Sequence, residues 1–545
     1  MGTVLSNIEE HTMIEMLRTR VRIEPSATAL EMADGTESVT YAELLERAEN
    51  VSAGLQELGF GRGDSVALWL PNSIEWVVLE FAASSLGILV VPLNTRYKVG
   101  EVAHLLKVGN VAALIFMPDF HGIDFTTMAA EAMSLAADAG HPLRMVITLG
   151  GGVPGDFGDG LEHRRFEELE HSRRSASFEE SGRPGDLMNV FGTSGTTSFP
   201  KLASHAQMTI VRHAHNAARA AVLTEREKTF GHLPFCGTFG FVALVATLAA
   251  GGCVVVLPVY TNASAIEAIA SRRVTYMATT EAIIRGILTT EGLKAESLTT
   301  WERGIVGGTS VHGLVEEAEK YGVLLTNVYG SSELFGLMAM WQPGESVEVR
   351  STPGGRLVED DMYVRAVDPQ TGEPAPEGES GELQFSGYNV TAGYLANDAA
   401  NVAAFTADGW YRSNDRGVVL EGGRAFGYQS RLADTLRLRG YLVSPAEIEE
   451  FLVSHPSVAD AYVVGIPDEA TGDDRAFAFV RTLPGKHLDP EEARAFCRDN
   501  LAGWKVPETV FVRDALPTTP SANGDKVQKN KLRELAALAA GTSEV

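Results

Sequence analysis

Apolar and polar positions follow two periods along this chain. Residues 41–58 carry apolar side chains at helical spacing, with Thr40 placed to cap the first turn and Glu43 to complete the cap. The apolar run 65–70 reads as a strand, 75–86 as a helix and 88–91 as a strand, with Gly87 at the turn and Pro92 as the stop. The same rhythm returns as a helix over 241–250, a turn at Gly251-Gly252, a strand over 253–257 and then Pro258. Short all-apolar strands alternating with helices predict parallel sheets covered on both faces. From about 346 to about 430, glycines and turns become denser and strands shorter, which predicts a β-rich subdomain. After 434 the pattern changes again, to a helix over 445–453, strands over 459–465 and 476–481, and a helix over 490–500. The expected fold is therefore α/β. A large N-terminal domain, 1–433, has parallel or mixed sheets layered with helices plus the β-rich subdomain. A small α+β C-terminal domain spans 434–545, with its last ten residues expected to fray.

Composition narrows the function classes. With 45% hydrophobic and 21% charged residues the chain is ordinary for a globular protein, which excludes wholesale disorder. The 71 acidic against 45 basic residues give a net charge of −26, which disfavours nucleic acid and anionic membrane surfaces as partners. Residues 233–266 carry no charge, yet Gly251-Gly252 and Pro258 interrupt them, so they read as buried core rather than a membrane span. Three widely spaced cysteines, Cys236, Cys253 and Cys497, form no disulfide framework or metal motif and suit a reducing cytoplasm. Residues 1–20 contain Glu9, Glu10 and Glu15 and no apolar signal region.

The chemistry concentrates in residues 190–201. An apolar strand over 187–191 runs into Gly192-Thr193-Ser194-Gly195-Thr196-Thr197 and then Lys201. Glycines let backbone N–H groups approach an anion, hydroxyls of Thr193, Ser194, Thr196 and Thr197 can donate to phosphate oxygens, and Lys201 adds positive charge. The lysine does not follow a glycine directly, so this is no Walker A loop. By itself the loop indicates a nucleotide without a reaction.

The segment 193–201 resembles the phosphate-loop signature of the adenylate-forming superfamily, which includes acyl-CoA synthetases. Five further segments resemble that family's motifs in order. They are Tyr329-Gly330-Ser331-Ser332-Glu333; Gly381-Glu382-Leu383 with Gly387 and Gly393-Tyr394; Gly409-Trp410-Tyr411-Arg412-Ser413-Asn414-Asp415; Ser430-Arg431-Leu432-Ala433-Asp434 with Gly440, Pro445 and Glu447-Ile448-Glu449; and Gly524-Asp525-Lys526-Val527-Gln528-Lys529. The resemblance spans nearly the whole chain.

It implies an enzyme that makes acyl-AMP and pyrophosphate from a carboxylic acid and Mg·ATP, then transfers the acyl group to coenzyme A. An adenylation enzyme that loads a carrier-protein phosphopantetheine is the alternative. Under the resemblance, Thr193, Ser194, Gly195, Thr196, Thr197 and Lys201 bind the phosphates, and Glu333 holds Mg2+. Tyr329, with Gly330 and Ser332 beside it, stacks on adenine against Gly307-Gly308-Thr309. Asp415 accepts the ribose hydroxyls and Arg431 supports the ribose. Lys526 stabilises the adenylation transition state, so Lys526, Glu333 and Thr193 form the catalytic set. Asp434 is the hinge of a mobile C-terminal domain, and Arg437, Arg439 and Gly440 line the CoA path. The partners implied are the acid, ATP and CoA, and a homodimer is compatible with the sequence.

Several positions depart from the family pattern. Ser198 and Leu202 replace glycines, Ala433 replaces a frequent lysine, and Asp525 separates Gly524 from Lys526. Cys236 stands where many acyl-CoA ligases carry His and amino-acid-activating domains carry Asp, which disfavours an amino-acid substrate. With Phe239, Gly240, Thr309, Leu334 and Phe335 it predicts a pocket for an uncharged acyl, alicyclic or aryl acid. His213 and His215, two apart, do not share a helix face and predict no metal site.

Overall fold

The computed structural model describes residues 11–137, 143–150, 157, 161–174, 178–193, 200–308, 311–438, 441–468, 473–501, 503–519 and 526–541. The chain divides into two compact units, one formed by 1–362 with 386–409 and the other by 363–385 with 410–545.

The first unit is built on two sheets. Among the described residues, one has the strand order Lys201–Ala206, Leu187–Thr193, Leu89–Pro92, Ser65–Trp69, Ala113–Phe116, Met145–Thr148, Glu162–Arg165. All its pairs are parallel except the hairpin of the first two strands. The second sheet has a parallel centre running Leu324–Tyr329, Arg303–Gly307, Tyr276–Thr280, Lys228–Gly231, Cys253–Val256, Thr28–Met32. Its strands are apolar because helices cover both faces. Thr40 and Glu43 form the expected capping box on the helix Tyr41–Glu57. The uncharged stretch folds as the helix Thr238–Ala250, closed by Gly251 at φ 88°, and the buried strand Cys253–Val256. Pro92 does not stop its strand before pairing. It is paired with Leu68, and the ladder closes through the Leu93 N–H to the Leu68 carbonyl at 2.8 Å. Among the described residues no helix is long and apolar enough to cross a membrane.

The second unit begins with the neighbouring strands Tyr363–Val367, Ser380–Ser386, Tyr411–Leu420 and Ala425–Arg431, the last three antiparallel. The helix Asp398–Ala404, within the predicted β-rich stretch, packs with the first unit. A three-stranded sheet, Val458–Pro467, Asp474–Thr482 and Thr509–Val512, follows. The two-residue period decides which helix covers which face. Ala476, Ala478 and Val480 join one core with Ile448, Leu452 and Cys497 of the helices Pro445–Val453 and Pro490–Asn500. Phe477 and Phe479 face Leu532 and Ala536 of the helix Lys529–Gly541. That helix corrects the expectation of a frayed end over 536–541, because Ala536 and Ala540 are buried in this second core.

Candidate active site

The phosphate-loop segment is held by an antiparallel hairpin. Strands Leu187–Thr193 and Lys201–Ala206 pair so that Thr193 stands opposite Lys201, bringing the two ends of the loop together. Ser194, Gly195, Thr196 and Thr197 lie outside the described residues. Thr193 is buried, and the Lys201 ammonium sits 4.6 Å from the centre of the Tyr394 ring. A side chain at Gly192 would meet the Tyr97 hydroxyl at 2.9 Å, which explains the glycine that precedes Thr193.

The carboxylate segment follows a parallel strand. Tyr329 ends Leu324–Tyr329, and Gly307 ends the adjacent Arg303–Gly307, with Gly307 paired to Val328. The Asn327 side-chain amide donates to the Gly308 carbonyl at 2.7 Å. Gly307, Gly308 and Tyr329 therefore sit at the C-terminal ends of neighbouring parallel strands, the edge at which α/β sheets bind ligands. Thr309 lies outside the described residues. Beyond Tyr329 the chain turns tightly, with the Gly336 N–H donating to the Ser331 carbonyl at 2.8 Å. A Cβ at Gly330 would fall 1.4 Å from the Gly336 carbonyl oxygen. Gly330→Ala must therefore displace backbone. It is expected to cost about 3 kcal/mol or more, read as a lowered thermal midpoint together with weakened nucleotide binding in a calorimetric titration.

Two contacts reach Glu333, which is buried at 8% exposure, and a third holds its neighbour. The Tyr394 hydroxyl donates to its Oε1 at 2.8 Å, and the Thr391 N–H donates to its carbonyl at 2.7 Å. His205 Nε2 donates to the carbonyl of neighbouring Ser332 at 2.7 Å. Burial holds the His205 imidazole neutral, its pKa lowered to about 4, which suits a donor to a neutral carbonyl. The Ser332 hydroxyl accepts from Thr238 at 3.0 Å, and the Ser331 hydroxyl is buried without a hydrogen-bond partner. Glu333 has no ion-pair partner among the described residues. A buried carboxylate so placed fits a hard divalent cation that completes its shell with phosphate oxygens and water.

Around the acyl-pocket candidates the chain is mostly apolar. Cys236 is half-buried, and burial pushes its thiol up to about 12, so it stays neutral. Phe239 is half-buried, its ring edge 3.6 Å from where a Gly307 Cβ would lie. The absent side chain of Gly240 points at the carbonyl oxygens of Leu233 and Pro234, at 2.8 and 2.5 Å. Leu334 and Phe335 are fully buried, and Phe335 packs on His205, Phe191, His213 and Phe241. The structure thus brings Phe239 to Gly307 but sets Gly240 and Phe335 into packed surroundings. His213 is buried with Nδ1 2.9 Å from the Tyr388 hydroxyl.

In the second unit, strand pairing sets Asp415 opposite Arg431. Their side chains form an ion pair at 2.9 Å, and Arg431 also donates to the Ser413 carbonyl at 3.1 Å. Asp415 is almost fully buried. Asp434 is ion-paired with Arg533 and lies 3.9 Å from Lys529, which itself binds Glu449 at 2.9 Å. The Arg437 N–H donates to Asp474 at 2.7 Å. Arg439 and Gly440 lie outside the described residues. Lys526 is exposed on the short strand Lys526–Val527, where it pairs with Thr519.

His205, Thr391 and the Tyr394 hydroxyl contact the Ser332-Glu333 segment, and sequence reasoning assigned none of them a role there. One signal was available for His205: in a strand it shares a face with Lys201, four residues before.

The "AMP-binding enzyme" family model matches residues 17–395, and the "AMP-binding enzyme C-terminal domain" model matches 447–523. A Mycobacterium tuberculosis protein named as a methyl-dioxo-octahydro-indenyl-propanoyl:CoA ligase is 31% identical over 527 residues, covering 94% of this chain and 97% of its own. The human medium-chain acyl-CoA ligase ACSF2, mitochondrial, is 26% identical over 565 residues, covering 98% of this chain and 89% of its own. Among solved structures, the anthranilate CoA ligase AuaEII in complex with anthranoyl-AMP superposes with a TM-score of 0.85 at 22% identity, over 98% of both chains, a likeness of fold. With the family model spanning most of its length, this chain belongs to the AMP-binding enzyme family, the adenylate-forming ligases.

Proposed function

We propose that this chain is an ATP-dependent acyl-CoA synthetase that first makes acyl-AMP and then the CoA thioester. The observation that carries this reading is the joining of the phosphate hairpin to a buried carboxylate, through Lys201, Tyr394 and Glu333. A carboxylate is a poor acyl donor because its leaving oxygen is strongly basic. In the first step the acid's oxygen attacks the α-phosphorus and pyrophosphate leaves. In the second, the CoA thiol attacks the acyl carbon and AMP leaves.

The protein's share is alignment and neutralisation of developing charge. The loop amides and hydroxyls from Thr193 to Thr197, with Lys201, hold the phosphates. Tyr329 stacks on adenine opposite Gly307-Gly308-Thr309. Asp415 accepts from the ribose hydroxyls, oriented by Arg431. Glu333 would hold Mg2+, which supplies charge neutralisation to the triphosphate when bound. Lys526 bridges the acid and an α-phosphate oxygen. Asp434 is the hinge between the half-reactions, with Arg437, Arg439 and Gly440 on the thiol's path.

The neutral Cys236 and the Phe239 ring favour an uncharged, bulky acyl, alicyclic or aryl acid. The ring-bearing propanoyl group in the name of the M. tuberculosis relative accords with that class. Three free cysteines accord with a cytoplasmic setting.

A pyrophosphate-release assay across a panel of acids, with CoA or a holo-carrier protein as acceptor, tests the proposal. Release with a bulky apolar acid and thioester formed on CoA is expected. Tight ATP binding without release for any acid would overturn the reading, and thioester on the carrier alone would replace CoA as acceptor.

A further inference from the structure

The segment 391–395 joins the two phosphate-binding elements of the first unit. It lies antiparallel along the strand Lys201–Ala206, with Ala203 bridged to Tyr394. The Ser204 N–H donates to the Gly393 carbonyl at 3.0 Å, and the Leu395 N–H to the Leu202 carbonyl at 2.8 Å. Thr391 Oγ1 accepts from the Ser204 N–H at 3.0 Å and donates to the Ser204 carbonyl at 2.9 Å. On its other side the same segment grips Glu333, through the Thr391 N–H to the Glu333 carbonyl and the Tyr394 hydroxyl to the carboxylate. Tyr394 is itself fixed. Asn401, in a helix capped by Asn397, accepts from the Tyr394 N–H at 2.6 Å and donates to the Tyr394 carbonyl at 3.0 Å. Gly393, at φ 127°, lies against Asn401, where a side chain would meet its Oδ1 at 3.0 Å.

One ring therefore touches both charges of the site. Its face lies under the Lys201 ammonium and its hydroxyl donates to Glu333. Tyr394 is only 6% exposed and Glu333 only 8%, so the hydroxyl–carboxylate bond is shielded from bulk water, while Lys201 is half-buried against the ring. A carboxylate held at one oxygen by a rigid donor presents the other in a fixed direction, as outer-shell partners do for metal ligands. A cation over a partly desolvated ring gains an attraction that does not compete with an anion on its far side.

We propose that Tyr394 is a positioning residue for the nucleotide site, fixing the Glu333 carboxylate toward Mg2+ through its hydroxyl and the Lys201 ammonium toward phosphate through its ring. This rests on the assignment of Glu333 to the metal. The two contacts separate by substitution: Tyr394→Phe keeps the ring and loses the donor, whereas Tyr394→Leu loses both.

Binding of Mn2+ to the full chain in the presence of ATP, followed by electron paramagnetic resonance, is the direct readout, with the thermal midpoint as a check on folding. Tyr394→Phe is expected to raise the Mn2+ concentration for half-saturation about tenfold. Its KM for ATP at saturating metal should stay within about twofold. Tyr394→Leu should in addition raise that KM about threefold. Glu333→Gln is the control. If it leaves Mn2+ binding unchanged, Glu333 is not the metal ligand and the underlying assignment fails. If Glu333→Gln weakens Mn2+ binding but folded Tyr394→Phe binds it as the parent does, the positioning role of Tyr394 is overturned. In the Glu333→Gln background, Tyr394→Phe should add no further loss of Mn2+ binding. An additive loss would mean that the hydroxyl acts elsewhere, and would also overturn the proposal.

Discussion

Replacing Lys526 with alanine is expected to slow acyl-AMP formation by about 100- to 1,000-fold, the usual effect of removing one preorganised donor to developing charge. The loss should be confined to the first half-reaction. Lys526 is exposed, on a two-residue strand whose neighbours are braced. The Gln528 N–H donates to the Pro517 carbonyl at 2.8 Å, and the following helix buries Leu532 and Ala536. These neighbouring contacts do not involve the ammonium, and the thermal midpoint of the variant checks that the hairpin is retained. Pyrophosphate exchange reports the first half, and conversion of supplied acyl-AMP to acyl-CoA reports the second. A selective loss of exchange supports the role, whereas equal loss in both would assign Lys526 to neither step in particular.

The second large effect concerns stability. Glu80 is fully buried in the helix Ile74–Leu86, and both its carboxylate oxygens accept from the Asn189 amide, at 3.0 and 3.2 Å. Burial pushes its pKa from 4.5 up to about 8. In the folded chain the group keeps its proton across a range where the unfolded chain releases it. The stability tied to the neutral acid is thus complete below pH 4.5 and falls as pH rises to about 8. Glu80→Gln removes the titration and supplies an N–H to Asn189 Oδ1, which is buried without a partner. The variant should exceed the parent by about 2 kcal/mol at pH 6 and about 4 kcal/mol at pH 8, with no further gain above. Denaturant midpoints at pH 5, 6.5 and 8 measure this. Parent and variant curves that run parallel with pH would refute it.

Much of the fold is legible in sequence wherever a local period carries it. The helix Tyr41–Glu57 and the strand Cys253–Val256 follow from apolar spacing, Thr40 and Gly251. The terminal helix was misjudged because a small-residue run, Leu-Ala-Ala-Leu-Ala-Ala, has no strong stripe of its own. Its burial is decided by Phe477 and Phe479, some fifty residues earlier in the chain. For the site, motif chemistry offers candidate roles residue by residue, whereas it carries none of the links between motifs. Nothing local to Tyr394 says that its hydroxyl meets Glu333, because that contact is a product of how segment 391–395 lies on the hairpin. Gly330 shows the same division: a motif marks it as glycine, and only the neighbouring Gly336 carbonyl says why.

The segment that grips Ser204 and Glu333 also sets an order of events in folding. Its bonds to Ser204 close loops of 187 residues, among the most remote contacts in the chain. Contacts of such separation carry a large closure entropy and form late, after the sheets they bridge. The hairpin and the Glu333 turn can each assemble as soon as their own strands are made. Glu333 gains its final orientation only when residues 391–395 have been synthesised and laid across Lys201–Ala206. A growing chain that ends before this segment would join the hairpin to the Glu333 turn through His205 and Phe335, with the Glu333 carboxylate lacking its Tyr394 donor.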